Sequence, residues 1–442
     1  GAVASKDGTK IFVLNFLPND PNNFPDKPHE PVNVASSVTV IDTVTGNTEH
    51  LRLPNGSCNL TDICLSPDGR YVYLTHILSR FYNVTDHLEN GWMNANGMSI
   101  INTENNQLST VLLDDPESGA ANPWGITTSS DGKQIFVAIA GTDEMIVLDA
   151  EAMHKKLTNE DGIDFSNDLS FLAEAKRRIK LTGKGAREIV SVGQKVYVTM
   201  YYDDSLRQID LSNNTVTKIS FGTKTELTQE RAGEMYWNDA TLCQQQWQSC
   251  ASCHSDGRMT GMNWDLLHDG EGNPKNTKSL VLSHETPPTM WLGDRRHAMQ
   301  CTRTGFRFIL FTMPQRDPCF TIDEYTRNMK PLPSPYLVNG QLSDRAKRGK
   351  TIFEKSEVGC TTCHPAPLFT DMKMYDVGSE DQFSAQKTFD TPTLVEVWRT
   401  APYFHDGRYV EMKDVFKKGK HGNIENLSDE EIDDLVEYVL SL

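Results

Sequence analysis

The sequence predicts a multidomain protein in which an all-β propeller precedes a mostly α-helical module. Three observations carry this reading. A turn-and-strand unit recurs between residues 6 and 220, the sequence shifts to helix-forming and loop character from Thr225, and two Cys-x-x-Cys-His motifs fall in the later part alone. A length of 442 residues suits two or three domains, expected at 1–224, 225–335 and 336–442. Hydrophobic residues at 38% and charged residues at 23% are the balance of packed domains rather than of a disordered chain.

The β region rests on four repeated turns. Lys6-Asp7-Gly8, Pro67-Asp68-Gly69, Ser130-Asp131-Gly132 and Val192-Gly193-Gln194 each precede a β-rich run: Ile11–Val13, Tyr71–Tyr73, Ile135–Val137 and Val196–Val198. The four turn glycines are 61, 63 and 61 residues apart. A second strand follows each time, at Val38–Asp42, Met98–Asn102, Met145–Asp149 and Leu206–Asp210. Asp-Gly and Asn-rich turns supply the positive φ angles of tight hairpins, and alternating apolar residues between them give antiparallel strands. Repeated four-stranded units of this kind predict propeller blades, at least four of them, with the chain opening inside a repeat. The spacing exceeds the ~40–45 residues of a minimal blade, and insertions at 19–33 and 81–94 account for the excess. Asp86, Trp92 and Trp124 are candidates to line a central funnel.

Ala152–Lys156 and Ser170–Ile179 read as a helical insertion on a propeller loop. Further on, Glu226–Ala240 leads into the first Cys-x-x-Cys-His motif, and Ser343–Phe353 begins the helix before the second. The last helix, within Ser428–Leu442, opens on a capping box of Ser428 and Glu431 and carries the apolar stripe Ile432, Leu435, Val436 and Val439.

Nine cysteines are present. Four belong to Cys250-Ala251-Ser252-Cys253-His254 and Cys360-Thr361-Thr362-Cys363-His364, whose histidines lie 110 residues apart. Paired thiols at this spacing bond to the vinyl groups of haem, and the adjacent histidine sits below the iron as its proximal ligand. A zinc site would not need histidine directly after the second cysteine each time. The helical module is therefore expected to be a di-haem cytochrome c module with two haem c groups, serving electron transfer or redox catalysis in an oxidising, extracytoplasmic compartment such as a bacterial periplasm. In that setting Cys58/Cys64 and Cys301/Cys319 are close enough in sequence to form disulfides or to remain buried thiols, with Cys243 left over.

Residues 226–442 resemble the bacterial di-haem cytochrome c peroxidase family, which includes the di-haem enzyme that matures methylamine dehydrogenase. The strongest match is Thr391-Pro392-Thr393-Leu394 followed by Thr400-Ala401-Pro402-Tyr403-Phe404-His405-Asp406-Gly407. The repeats before it look like a propeller of the YVTN/lactonase-like type, so the whole resembles a propeller–cytochrome fusion. The resemblance implies a calcium ion between two haem domains, held by Asn276 and the carbonyls of Thr400 and Pro402, oxygen ligands of the kind calcium takes. It also implies Trp291 as the redox-active inter-haem tryptophan and His268 as distal ligand of the first iron, with His284 and Met290 as rivals.

Two departures from the family stand out. Its methionine ligand to the second iron falls at Gly419, and His421 is the replacement, which implies a lower potential. Its catalytic glutamate is missing: between Leu292 and Gln315 the one carboxylate is Asp294, among Arg295, Arg296, Arg303 and Arg307. Without a positioned proton carrier, peroxide cleavage loses a factor of roughly 10²–10⁴. Two readings follow. One is a peroxidase-like oxidoreductase passing electrons between its haems. The other is an electron-transfer cytochrome whose propeller is a docking or ligand-binding platform. The net charge of −17 argues against nucleic acid and suits a small redox substrate or an electron-donor protein, with a homodimer left open. No apolar run approaches the ~18 residues of a membrane span.

Overall fold

The computed structural model describes residues 1–18, 34–81, 93–159, 164–223, 225–266, 274–380 and 384–442. Four antiparallel sheets succeed one another in chain order. The first joins Ala2–Ala4, Lys10–Leu14, Ser37–Asp42 and Thr48–Arg52. The second joins Ser57–Cys58, Ile63–Leu65, Tyr71–Ser79, Asn94–Asn102 and Leu108–Leu112. The third joins Pro123–Thr128, Gln134–Ile139, Glu144–Asp149 and Lys176–Lys180, and the fourth Ala186–Val192, Lys195–Met200, Ser205–Asp210 and Thr215–Ser220. Every strand expected from the repeats is present.

The first three repeats share their turn chemistry. Ser5, Ser66 and Ser129 donate to the carboxylate two residues on, at 2.7, 2.6 and 2.6 Å. Those carboxylates accept the backbone N–H of Thr9, Arg70 and Lys133 at 3.1 Å each. The closed turn sets Gly8, Gly69 and Gly132 at φ 73°, 82° and 72°, a region where a side chain is strained. Strand alternation then feeds two apolar layers at once. Ile135 and Val137 join Tyr73, Met98 and Ile100 of the second sheet, whereas Phe136 and Ala138 join Val196, Val198 and Ile209 of the fourth. Phe12, Val38, Leu74 and Ile101 fill the layer between the first and second sheets.

One expectation is corrected here, and one choice left open by the sequence is decided. Helix α1 (Ala150–Asn159) forms as read, but Ser170–Ile179 is not helical. Its second half is the strand Lys176–Lys180, with Ile179 opposite Met145. Arg178 donates to Glu144 and, at 3.0 Å, to Asp115, so sheet pairing and ion pairs override the helical tendency. The cysteines, moreover, are all free. Cys58 faces Ile77 and Cys64 faces Tyr73 on the same strand. Four residues of strand rise separate them by roughly 13 Å, about twice the Cα reach of a disulfide. Cys301 instead lies beside the Thr289 hydroxyl at 3.2 Å, and Cys319 packs against Trp237 and Phe306.

The later part comprises α2 (Gln229–Asn238), α3 (Cys250–Cys253), α4 (Ala298–Phe308), α5 (Arg316–Asn328), α6 (Asp344–Phe353), α7 (Cys360–Cys363), α8 (Met412–Lys417) and α9 (Asp429–Leu440). One design is used twice. α2 packs across α5 and α6 across α9, each pair bracketing a one-turn Cys-x-x-Cys helix. Glycine makes both crossings close. A Cβ on Gly233 would lie 1.9 Å from the Thr321 carbonyl oxygen, and one on Gly349 would lie 1.9 Å from that of Asp434. The N-caps repeat as well: Thr228 and Ser343 each accept the N–H three residues on at 3.1 Å, and Ser428 and Glu431 form the expected capping box. A buried ion pair joins the two helical units, with Arg258 Nε donating to Glu396 Oε1 at 2.9 Å.

Candidate haem-binding sites

The first attachment turn is α3, opened by a capping box between Ser249 and Ser252. His254 leaves the helix with φ −125° and ψ 69°. Its Nδ1 lies 2.9 Å from the Arg258 carbonyl oxygen and 3.1 Å from that of Lys278. A backbone carbonyl on Nδ1 fixes the tautomer and leaves Nε2 for a metal, the usual arrangement of a ligating histidine. Burial lowers the His254 pKa, so the ring is neutral, as a ligand must be. Burial also pushes the thiols up, Cys250 to about 12 and Cys253 to about 11, the latter pulled back by an amide hydrogen of Asn94.

The second turn, α7, follows Gly359 at φ 83° and is a near copy. The Nδ1 of buried His364 lies 2.8 Å from the Phe369 carbonyl oxygen. Across from it stands His421, with ring centroids 6.3 Å apart and planes at 64°. Two imidazoles on opposite sides of one metal, each bonded at about 2 Å, set their centroids roughly 6 Å apart. Burial, then the nearby His364, lowers the His421 pKa to about 4. The Gly419 position leaves no room for a methionine: its Cβ would lie 2.5 Å from the Val415 carbonyl oxygen and 3.0 Å or less from the Tyr409 and Phe404 rings. Both turns thus fit a haem, with paired thiols and a neutral imidazole whose Nε2 is free to bind iron.

Between the turns, Asn276 Nδ2 donates to the Pro402 carbonyl at 2.6 Å and Asn263 Nδ2 to that of Asp406 at 2.6 Å. The two asparagines are direct cross-strand partners, and the Oδ1 of each is buried without a hydrogen-bond partner. Orphaned amide oxygens beside turn carbonyls fit a hard cation such as calcium. Thr400 lies in the same turn, its hydroxyl donating to the Val397 carbonyl. Trp291 abuts this group: its indole N–H donates to the Asn276 carbonyl at 2.7 Å, and its own carbonyl accepts from Asp390 N at 2.9 Å. Lys278 lies over the indole ring at 4.8 Å.

The remaining candidates divide. His268, Asp86 and Trp92 lie outside the described residues. His284 is turned to α5, its Nε2 2.9 Å from the Thr326 hydroxyl, and Met290 adopts φ 72° one residue before Trp291. Asp294 is engaged by Arg295 at 2.6 Å, beside an open cleft of 620 Å³ lined by His297 and Arg303. Trp124 lies under the Arg187 guanidinium at 4.3 Å. Sequence reading missed Asn263, and it missed the buried asparagines Asn59, Asn94, Asn96 and Asn122 of the β region, which meet the first turn. No local pattern marks them, because their partners lie more than a hundred residues away in sequence.

Two Cys-x-x-Cys-His turns, each beside a crossed helix pair, fit the attachment of c-type haem. No family model matches the chain. Hydrazine synthase subunit gamma of Kuenenia stuttgartiensis is 31% identical over 280 residues, covering 50% of this chain and 78% of the relative. The chain belongs to that family. Hydrazine synthase subunit beta of the same organism is 25% identical over 179 residues, 39% of this chain, which spans only 46% of that relative. Methylamine utilization protein MauG of Methylophilus methylotrophus is 25% identical over 279 residues, covering 49% of this chain and 83% of the relative. Two solved structures of Kuenenia stuttgartiensis hydrazine synthase match at TM-scores of 0.47 and 0.39, with identities of 26% and 22%. They cover 52% and 50% of this chain, and 99% and 58% of the matched chains.

Proposed function

We propose that this chain is a di-haem c-type cytochrome of a hydrazine-synthase-type assembly, uniting in one polypeptide segments that resemble its beta and gamma subunits. Its partners are then the other subunits of such an assembly and a small nitrogen-containing redox substrate, in the periplasm or an equivalent extracytoplasmic compartment. The four sheets are read as propeller blades within residues 1–224, and the helical units as haem domains within 225–335 and 336–442.

Cys250, Cys253 and His254 would hold one haem, and Cys360, Cys363 and His364 the other. Bound haem supplies one-electron transfer and, at an iron with a free position, binding and reduction of a small molecule. The chain's own residues divide that work. The carbonyls of Arg258, Lys278 and Phe369 orient the proximal imidazoles and raise their basicity by accepting their Nδ1 protons. His421, facing His364, would be a second imidazole ligand for the haem held there, and that haem would then serve electron transfer. The haem held at Cys250 and Cys253 would then be the one to meet substrate, or to take His268 as a ligand. Trp291, hydrogen-bonded to Asn276 and Asp390, would serve as the relay for electrons passing between the two haems. Asn276 and Asn263, with the carbonyls of Pro402 and Thr400, would hold calcium. The cleft after Trp291 has its one carboxylate, Asp294, in an ion pair with Arg295 and lacks the family's glutamate, which favours electron-passing chemistry over peroxidase activity.

The His364–His421 spacing of 6.3 Å carries this reading. Absorption and low-temperature electron paramagnetic resonance of haem-loaded protein test it. One haem is expected to be low-spin and indifferent to peroxide, and His421→Ala is expected to convert that haem alone to high-spin. An unchanged spectrum in His421→Ala would contradict the assignment.

A further inference from the structure

The first attachment turn is held by the β region. Asn94 Nδ2 donates to Gln248 Oε1 at 2.7 Å and reaches Cys253 Sγ at 3.5 Å, while Ser79 holds its Oδ1 at 2.8 Å. Asn96 Nδ2 donates to the Trp247 carbonyl at 3.2 Å. Asn122 donates to Ser249 Oγ at 2.8 Å and accepts from Ser252 Oγ at 2.7 Å. Asn59 donates to the Ser252 carbonyl at 3.2 Å and accepts from Ser255 Oγ at 2.5 Å. All four asparagines are buried.

Asparagine suits this role because one short side chain carries both donor and acceptor, and because it tolerates positive φ, 52° at Asn59 and 57° at Asn122. The collar is itself braced. Buried Asp114 accepts from Asn96 N at 2.6 Å, Asn96 Nδ2 at 2.9 Å and Ala120 N at 2.6 Å. Gly119 lets the chain approach so closely that a Cβ there would lie 2.4 Å from Trp247 Cα. The second turn differs: Thr362, the counterpart of fully buried Ser252, is exposed.

We propose that Asn59, Asn94, Asn96 and Asn122 are positioning residues for the first haem, and that the Asn94 amide beside the Cys253 sulfur tunes the reduction potential of that haem alone. This rests on the reading that a haem is thioether-linked at Cys250 and Cys253. An N–H aimed at that sulfur favours the reduced, more electron-rich haem, since second-sphere hydrogen bonding is one of the levers on haem potential. Removing it lowers the potential.

The test is a potentiometric titration of the full chain, matured with haem-attachment machinery, with the second haem's wave identified by its displacement in His421→Met. Asn94→Leu is expected to lower the first haem's reduction equilibrium constant about tenfold, which is about 59 mV for one electron, with the second wave in place. Asn94→Asp, of the same size and bearing a charge, is expected to lower it further and carries the test if Asn94→Leu does not accumulate. Waves that stay put in both variants, or that move together, overturn the proposal while leaving haem attachment intact. A parent chain without attached haem overturns the attachment reading and the proposal with it.

Discussion

The two attachment turns are chemically almost the same and sit in opposite surroundings. Each is a single helical turn of Cys-x-x-Cys ending in a histidine whose Nδ1 faces a backbone carbonyl, and each lies beside a glycine-mediated helix crossing. The first is sealed under asparagines from another part of the chain, and the second is open at Thr362 and faced by His421. Local sequence thus makes the Cys-x-x-Cys-His turn, and distant sequence decides its surroundings. A sealed turn suits an iron reserved for a small molecule, and an open one suits exchange of electrons with a partner.

The joint between the two units offers the largest way to break this comparison. Glu396 is 1% exposed and its ion pair with Arg258 spans the units, so Glu396→Ala leaves a buried charge unpaired. A loss of about 3–5 kcal/mol is expected in chemical denaturation. Replacing both partners by apolar residues is expected to recover most of it. Next come the crossings. Gly349→Ala is expected to cost about 3 kcal/mol and to deplete the haem at Cys360 and Cys363, whereas Gly233→Ala depletes the one at Cys250 and Cys253. Haem content per site, by peptide mass spectrometry, separates the two.

Acid is expected to act on the sealed side. Buried His76 titrates near 6.5 when unfolded but only at about 4 when folded, because burial disfavours its charge, and His154 behaves alike. Their contribution is complete above pH 6.5 and declines as pH falls toward 4. Asp114 works oppositely: burial raises its folded pKa from 3.8 to about 6, so its contribution is lost as pH rises across that range. Asp114→Asn removes this offset, and melting between pH 4 and 6 is expected to steepen by about 2–3 kcal/mol. A slope unchanged by Asp114→Asn would show that the carboxylate is not buried as described. The smallest effect is at a cap, where Ser428→Ala is expected to cost about 1 kcal/mol in thermal unfolding.

The strands of the repeats were legible because their turns are local chemistry: Asp7, Asp68 and Asp131 close the same turn in the first three repeats. The two Cys-x-x-Cys-His turns were legible because the motif is contiguous in sequence and closes a single helical turn. His421 was legible through the misfit at Gly419, where neighbouring atoms exclude any side chain. What escaped depends on tertiary pairing. Ser170–Ile179 reads as helix until its end, Lys176–Ile179, meets Met145–Leu148, and Cys58 and Cys64 read as neighbours until the sheet sets them apart. The asparagine collar is the extreme case, with Asn59 reaching a backbone 193 residues ahead.

The intact mass of the chain, purified from a host with haem-attachment machinery, tests the central claim most directly. The account predicts the polypeptide mass plus two haems, falling to one in Cys360→Ser/Cys363→Ser. A mass equal to the bare polypeptide would contradict it.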